Sequence, residues 1–339
     1  MNDRDFTESH TDGIRAEVSL RMLPSDAHTL TLGLDGSMDV IAGEMFAART
    51  IGGAALYVQD EIRVADNLTF TVGARGDYQS VGLIKASIQL NPKSTLAYIP
   101  WEGTTLRASF GRGFRVPSVT EAFVAAGGGL VRGVPNTELK PERSLSYELG
   151  LSQRLGDVGL LDVAGFRSEY DNLIEPSLQI AGQNLEVQWR NVTRARVQGV
   201  EASMKFRLFG GALDWSGSYT YVYPQDLSRN DLLKYRPRHL VYTNLTTRLG
   251  PLMVGGDFRF VSRVERIDDE LVETGIIPDG DQRTDIFVAD VRAGADFSLF
   301  GLAMSIMLNV KNAFQHNYVE LIGNIMPPRT YILSVEATL

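Results

Sequence analysis

The sequence predicts an all-β fold: an antiparallel β-barrel of about fifteen strands, built to cross a bilayer. Three observations predict it. Stretches roughly ten residues long alternate apolar and polar side chains, stop at a turn and begin again. Period two is the mark of a strand with one greasy and one polar face, and about 9–11 residues is what a tilted strand needs to span a membrane. The joints between stretches are alternately short and long along the chain. The polar members of the alternation include many charges, which suits a water-filled lumen rather than a solvated sheet face.

The elements follow in order. A first strand near Gly13–Arg21 meets a short joint, Leu23 to His28. Leu30, Leu32 and Leu34 then interleave with Thr31, Gly33 and Asp35, and Leu68, Phe70, Val72 and Ala74 interleave with Thr69, Thr71, Gly73 and Arg75. Val200, Ala202, Met204 and Phe206 alternate with Glu201, Ser203, Lys205 and Arg207; the run Phe287 to Phe297 does the same around Asp290 and Arg292. Further short joints fall at Val64–Asn67, Trp101–Gly103, Gly156–Val158, Phe209–Gly211, Gly250–Pro251 and Phe300–Gly301, mostly hairpin-length turns rich in Gly, Pro, Asp or Asn. Long joints fall at Ser37–Ile51, Ser80–Leu90, Pro117–Glu142, Asp171–Asn184, Pro224–Tyr235, Ser262–Thr284 and Ala313–Pro328. Outer-membrane barrels sort their connections in this way, with short periplasmic turns and long extracellular loops. The strand count is odd, so the first strand and the last, Thr330–Leu339, run in the same direction. Closed barrels of this type have even counts, so an incomplete barrel is expected, with Gly13–Arg21 and Thr330–Val335 as open edges.

Alternation sets the faces. Arg75, Arg107, Glu148, Glu201 and Lys205 fall inward, together with Asp77, Arg207, Asp290 and Arg292. Leu30, Phe70, Val72, Ala202, Met204, Val291 and Leu333 fall outward as an apolar belt, with Tyr147, Trp215, Tyr219, Tyr221 and Tyr331 as girdle candidates. The opposite register would put Arg and Lys into lipid at about 2–4 kcal/mol each at mid-bilayer.

Composition agrees. Only 44% of the 339 residues are hydrophobic, as in a barrel whose strands are half wet. No apolar run reaches the ~18 residues of a spanning helix. There is no cysteine, which removes disulfides and thiolate chemistry, and the net charge of −8 argues against a nucleic-acid partner. Met1–His10 carries no secretory signal pattern.

Four groups of residues resemble TonB-dependent outer-membrane receptors. The first is Gly111-Arg112-Gly113-Phe114-Arg115-Val116-Pro117 with Thr120-Glu121-Ala122-Phe123 and Asn136 to Glu142; the second is Tyr170 to Ile174 with Asn191-Val192 and Gly199-Val200-Glu201. The third is Asn309-Val310-Lys311-Asn312-Ala313-Phe314, and the last is Pro328-Arg329-Thr330-Tyr331. The resemblance implies that residues 1–339 are a receptor β-barrel portion, an incomplete part of a 22-stranded barrel. It shows no plug domain, no TonB-engaging segment and no signal peptide. It implies the outer membrane of a Gram-negative bacterium, contact with outer-membrane lipid, and uptake of a scarce large solute such as a ferric siderophore or a corrinoid. The plug and TonB would be partners in the complete protein only. A passive porin or a purely structural barrel is the alternative, and a soluble β-protein a weaker one.

Candidate chemistry is sparse. His10, His28, His239 and His316 show no metal spacing, and no cofactor is expected. Ser216 or Ser218 with His239 is the one imaginable nucleophile–base set. The acidic run Asp268, Asp269, Glu270, Glu273, Asp279 and Asp281 reads as a solvated loop, or else as a site for cations or a basic ligand. Arg132, Arg263, Arg266 and Arg283 lie in or near loops and suit an anionic chelate, and Tyr170, Trp189 and Tyr223 offer aromatic contact. These seven are the expected ligand-binding residues.

Overall fold

The structure is a computed structural model that describes residues 8–338, except 45, 126, 129, 130, 183, 274, 276, 278–282, 322 and 323. Fifteen long strands follow one another in a single antiparallel sheet, each paired with the next: β1 Ser9–Ser25, β2 His28–Gly43, β3 Phe46–Ala65, β4 Leu68–Val81, β5 Ile84–Tyr98, β6 Thr104–Arg115, β7 Glu142–Leu155, β8 Gly159–Ala181, β9 Asn184–Leu208, β10 Leu213–Asp226, β11 His239–Leu249, β12 Leu252–Val261, β13 Ile286–Leu299, β14 Leu302–Lys311 and β15 Thr330–Thr338. Two short helices, Val119–Phe123 and Asp269–Glu273, a 3-10 turn at Phe209–Gly211 and a few two- or three-residue strands complete the described elements.

Register fixes the faces as the alternation does. Leu34 pairs with Val18 and Leu56, Phe70 with Leu96, Ala202 with Val163 and Tyr219, Val291 with Val310, and Leu308 with Leu333. Following these pairs from strand to strand puts the whole expected apolar belt and all five girdle aromatics on one face. Leu30, Phe70, Ala202, Met204 and Tyr221 are half-buried by their neighbours along the sheet, and the others are exposed because only lipid would cover them: Val72 is 42% and Leu333 65% exposed. The other face carries the charges. The two-residue turn Phe300–Gly301 shows why glycine ends such joints, since its two residues sit at φ of 54° and 80°.

Three expected long loops are instead hairpins whose ladders continue past the membrane band. β2 and β3 run to Gly43 and from Phe46, β4 and β5 to Val81 and from Ile84, and β8 and β9 to Ala181 and from Asn184. Beyond the bilayer neither face must be apolar, so the hydrogen-bonded ladder persists where the two-residue hydropathy period does not. The first and last strands are not paired with each other among the described residues. Nearly all of Ser9–Ser25 and all of Thr330–Thr338 lie exposed on both faces.

Candidate ligand site at the loop end

The main apolar core sits at the loop end, on the inner face. Val119, Ala122, Phe123 and Leu139 of the β6–β7 loop pack against Val81 and Ile84 at the top of β4 and β5 and against Ile174 of β8, with Trp189 at the border. The loop thus bridges strands several places apart. Its folding begins at Arg115, where Nε and Nη2 donate to the two oxygens of Glu142 at 2.8 Å each, while Nη1 donates to Glu121 at 2.8 Å. Glu142 also accepts the Ile174 N–H at 2.6 Å. Ser118 and Glu121 form a reciprocal capping box on the helix. Burial works against ionised Glu121, but the Arg115 guanidinium and the Ser118 N–H outweigh it and hold this carboxyl below the usual range.

Side-chain amides tie down the rest of the loop. Asn136 donates to the Trp189 carbonyl at 2.8 Å; Asn191 donates to the Lys140 and Asn172 carbonyls at 2.9 and 2.8 Å and accepts from Lys140 N at 2.9 Å. Asn312, buried and at a φ of 49°, bonds His316 and Pro327 in the last loop. Several residues of the family resemblance, Arg115, Glu121, Asn136, Glu142 and Asn191 among them, are therefore cross-links that hold the loop end together. Gly111 is an exception. A Cβ there would meet nothing within 4 Å, so no described part of this chain requires glycine at that point.

A second anchor holds the β12–β13 loop. Asp268, expected in a solvated run, is 1% exposed. It pairs with Lys234 and accepts the Tyr235 hydroxyl at 2.7 Å. Burial, reinforced by Asp268, pushes the Tyr235 phenol above its ordinary pKa. Arg266 joins the same anchor, reaching the Leu232 carbonyl at 2.6 Å and Asp231 at 2.9 Å. Asp279 and Asp281 lie outside the described residues.

The inner face below is a field of ion pairs. Arg107 donates to both oxygens of Asp162 at 2.7 Å and to Glu148 at 3.2 Å. Arg75 pairs with Asp77 at 2.7 Å and lies 3.6 Å from Asp35. Gly150 makes room for this arrangement, since a Cβ there would come within 2.5 Å of Arg107 Nε. Glu201 and Lys205 lie on the same face without an ion pair among the described residues.

The structure distributes the expected ligand residues unevenly. Arg132 is exposed on the short strand Val131–Gly133, which runs parallel to Leu185–Val187. Arg263 is exposed at the start of the β12–β13 loop, its backbone N–H held by Asp285 at 2.7 Å. Arg266 and Arg283 bond loop carbonyls, Arg283 reaching Val264 and Glu265 at 2.6 and 2.8 Å. Tyr170 and Trp189 fall on the inner face, the latter against the apolar core. Tyr223 falls on the outer face, with Arg238 over its ring at 4.9 Å. Ser216 and Ser218 are on the inner face but His239 is on the outer, where its ring nitrogen meets the Tyr219 hydroxyl at 2.9 Å, so that triad-like set is not assembled. Sequence reasoning missed the Arg115–Glu121–Glu142 and Lys234–Tyr235–Asp268 groups. The Ser118-x-x-Glu121 spacing was a readable signal for part of the first.

A long antiparallel sheet with one largely apolar face, a charged inner face and a folded loop end defines the wall of an outer-membrane β-barrel. Residues 17–313 match the family described as TonB dependent receptor-like, beta-barrel, and the chain belongs to that family. It is a family of Gram-negative outer-membrane transporters and receptors rather than enzymes. The chain is 27% identical over 210 residues to the ferrienterobactin receptor of Escherichia coli (strain K12), covering 57% of this chain and 27% of that protein. It is 30% identical over 187 residues to the ferric enterobactin receptor PirA of Pseudomonas aeruginosa, covering 50% and 24%. The crystal structure of the siderophore receptor PirA from Pseudomonas aeruginosa superposes with a TM-score of 0.73 at 21% identity, covering 98% of this chain and 58% of that one. The match thus spans about a quarter of the length of the two curated relatives.

Proposed function

We propose that the complete protein imports a large, scarce, anionic solute of the ferric-siderophore class, with this chain as barrel wall and loop scaffold. The observation that carries the reading is the charged inner face centred on Arg75, Arg107, Glu148, Glu201 and Lys205. Such a face is compatible with a porin's water, but a polar plug domain packed against it would also give partners to Glu201 and Lys205, which have no ion pair among the described residues. Two unpaired edges that run in one direction support further strands between them. An odd number of added strands restores antiparallel pairing, and seven would complete the twenty-two that the family resemblance implies. The plug and the TonB-engaging segment belong to the complete protein. Among the loop cations, Arg132 and Arg263 are the exposed ones and would meet the anionic ligand, while Arg266 and Arg283 shape the loop that presents it.

The test is ligand binding by the full-length receptor. Ferric enterobactin should bind, and the double substitution Arg132→Ala/Arg263→Ala should weaken it about tenfold or more, as loss of charge-assisted contacts does. Binding of a corrinoid in place of ferric enterobactin would move the substrate to the other class that the family resemblance implies.

A further inference from the structure

The outer face is largely apolar; apart from Asp12 on β1 and the His28–Asp60 pair on β2 and β3, its charges gather in one contiguous patch on β6 to β10. Ala108, Leu149, Gly165, Val200 and Tyr221 are cross-strand partners in one row, and this row is apolar apart from a single hydroxyl. The next row toward the loops contains Tyr147, Arg167 and Tyr223, the one above it Arg112, Glu169 and Arg196, and the next Arg143, Asp171 and Arg194. Five arginines and two carboxylates give the patch a charge of +3 on a chain whose net charge is −8. At comparable levels elsewhere the outer face is greasy, as at Met38 on β2, Ile88 and Leu90 on β5 and Phe258 on β12.

The patch is open to a ligand. Arg167 and Arg196 both donate Nε to the same oxygen of Glu169, at 2.7 Å each, which leaves most of their N–H donors unused. The guanidinium groups of Arg112, Arg143 and Arg194 make no hydrogen bond or ion pair among the described residues. Gly165 leaves a notch directly below Arg167, where a Cβ would meet no atom nearer than 4.0 Å. Height follows from counting. Arg112 and Arg167 each stand eight residues beyond the periplasmic start of their strands, Thr104 and Gly159. A strand tilted by about 45° climbs about 2.4 Å per residue, which puts them about 19 Å up an apolar band about 25 Å tall, with Arg196, Arg143 and Arg194 above. Arginine costs about 2–4 kcal/mol at the midplane of a barrel's lipid face and about 0–1 near the interface, so this placement is tolerable only in the outer leaflet and its headgroup layer.

We propose that this patch is a binding site for the phosphorylated headgroup of an outer-leaflet glycolipid. Planar guanidiniums on adjacent strands fit phosphate oxygens bidentately. The apolar row beneath, with its notch at Gly165, receives the acyl chains, and Tyr147 and Tyr223 mark the boundary between the two. The patch is separate from the loop site and faces away from the lumen.

The complete receptor in detergent is titrated with diphosphorylated lipid A and with its phosphate-free form at about 0.15 M salt, bound lipid being read by native mass spectrometry. The phosphorylated form should bind at least about tenfold more tightly. Arg112→Gln/Arg167→Gln/Arg196→Gln should abolish that preference, and Lys93→Gln on the inner face should leave it intact. Arg112 has no internal partner to lose, so Arg112→Gln alone assembles normally and should weaken binding about two- to threefold. The triple Arg→Lys variant should retain a reduced preference. Equal binding of the two lipid forms, an unchanged triple Gln variant, or displacement of the lipid by millimolar inorganic phosphate would each overturn the proposal.

Discussion

Glu142 joins three separate stretches of chain: the end of β6 through Arg115, the start of β7, and β8 through the Ile174 amide. Its side chain is 11% exposed, so Glu142→Gln leaves the half-exposed Arg115 guanidinium with Glu121 as its one carboxylate and weakens two charge-assisted bonds. A loss of about 2–3 kcal/mol of local stability is expected, read as faster amide exchange across Val119–Phe123. Glu121 adds a pH dependence. Its carboxyl is depressed in the folded loop, so the ionised form favours docking: the stabilisation is fully present above the ordinary glutamate range and lost as pH falls through the depressed value. The protection of Val119–Phe123 amides, relative to the intrinsic exchange rate at each pH, should therefore fall on acidification in the native chain and much less in Glu121→Gln. Protection that ignores pH in both would sink this account. Of this group, the cap spacing was legible in sequence, but the partners were not, because Arg115 and Glu142 are 27 residues apart and only the fold brings them together. Asp268 was read as solvated for a related reason: a run of acids looks the same whether or not a lysine and a tyrosine from another loop bury one of its members.

The strands were the most legible elements, because a bilayer imposes one rule on the whole outer face. That rule yields a paired expectation. Val72→Arg on the apolar face should cost about 2–4 kcal/mol near mid-bilayer, while Thr71→Arg, one residue away on the inner face, should cost little; equilibrium unfolding of the complete barrel from micelles measures both. Equal costs would contradict the register. Where the rule stops, legibility stops with it, so the extended hairpins above the band were read as loops. Gly199 shows an element-level constraint that hydropathy does not encode. A Cβ there would lie 1.9 Å from the Tyr221 carbonyl oxygen, a backbone atom with little freedom to move. Gly199→Ala should loosen the β9–β10 pairing by about 1–3 kcal/mol, seen as increased exchange of Val200–Tyr221 amides.

At the scale of the whole molecule, the sheet has a direction problem. Fifteen strands make fourteen reversals, so β1 and β15 are parallel, and each presents one backbone edge that is unpaired among the described residues. Unsatisfied backbone groups in hydrocarbon cost several kcal/mol each. Direct contact of the two edges would form a parallel seam in an otherwise antiparallel wall; intervening strands, odd in number, satisfy both edges without one. The absence of cysteine from the sequence makes this testable with introduced pairs. Leu20 and Leu32 are cross-strand partners on the outer face, so Leu20→Cys/Leu32→Cys places two thiols on adjacent strands as a positive control. Leu20→Cys/Leu333→Cys places them on the two edges at outer-face positions. In the complete protein in its membrane, oxidation should cross-link the control pair and leave the edge pair reduced, because strands lying between the edges hold the two positions well beyond the ~7 Å Cα separation that a disulfide tolerates. Efficient cross-linking of Leu20→Cys to Leu333→Cys within one molecule would mean that the edges meet, and the barrel would then close on fifteen strands with a parallel seam.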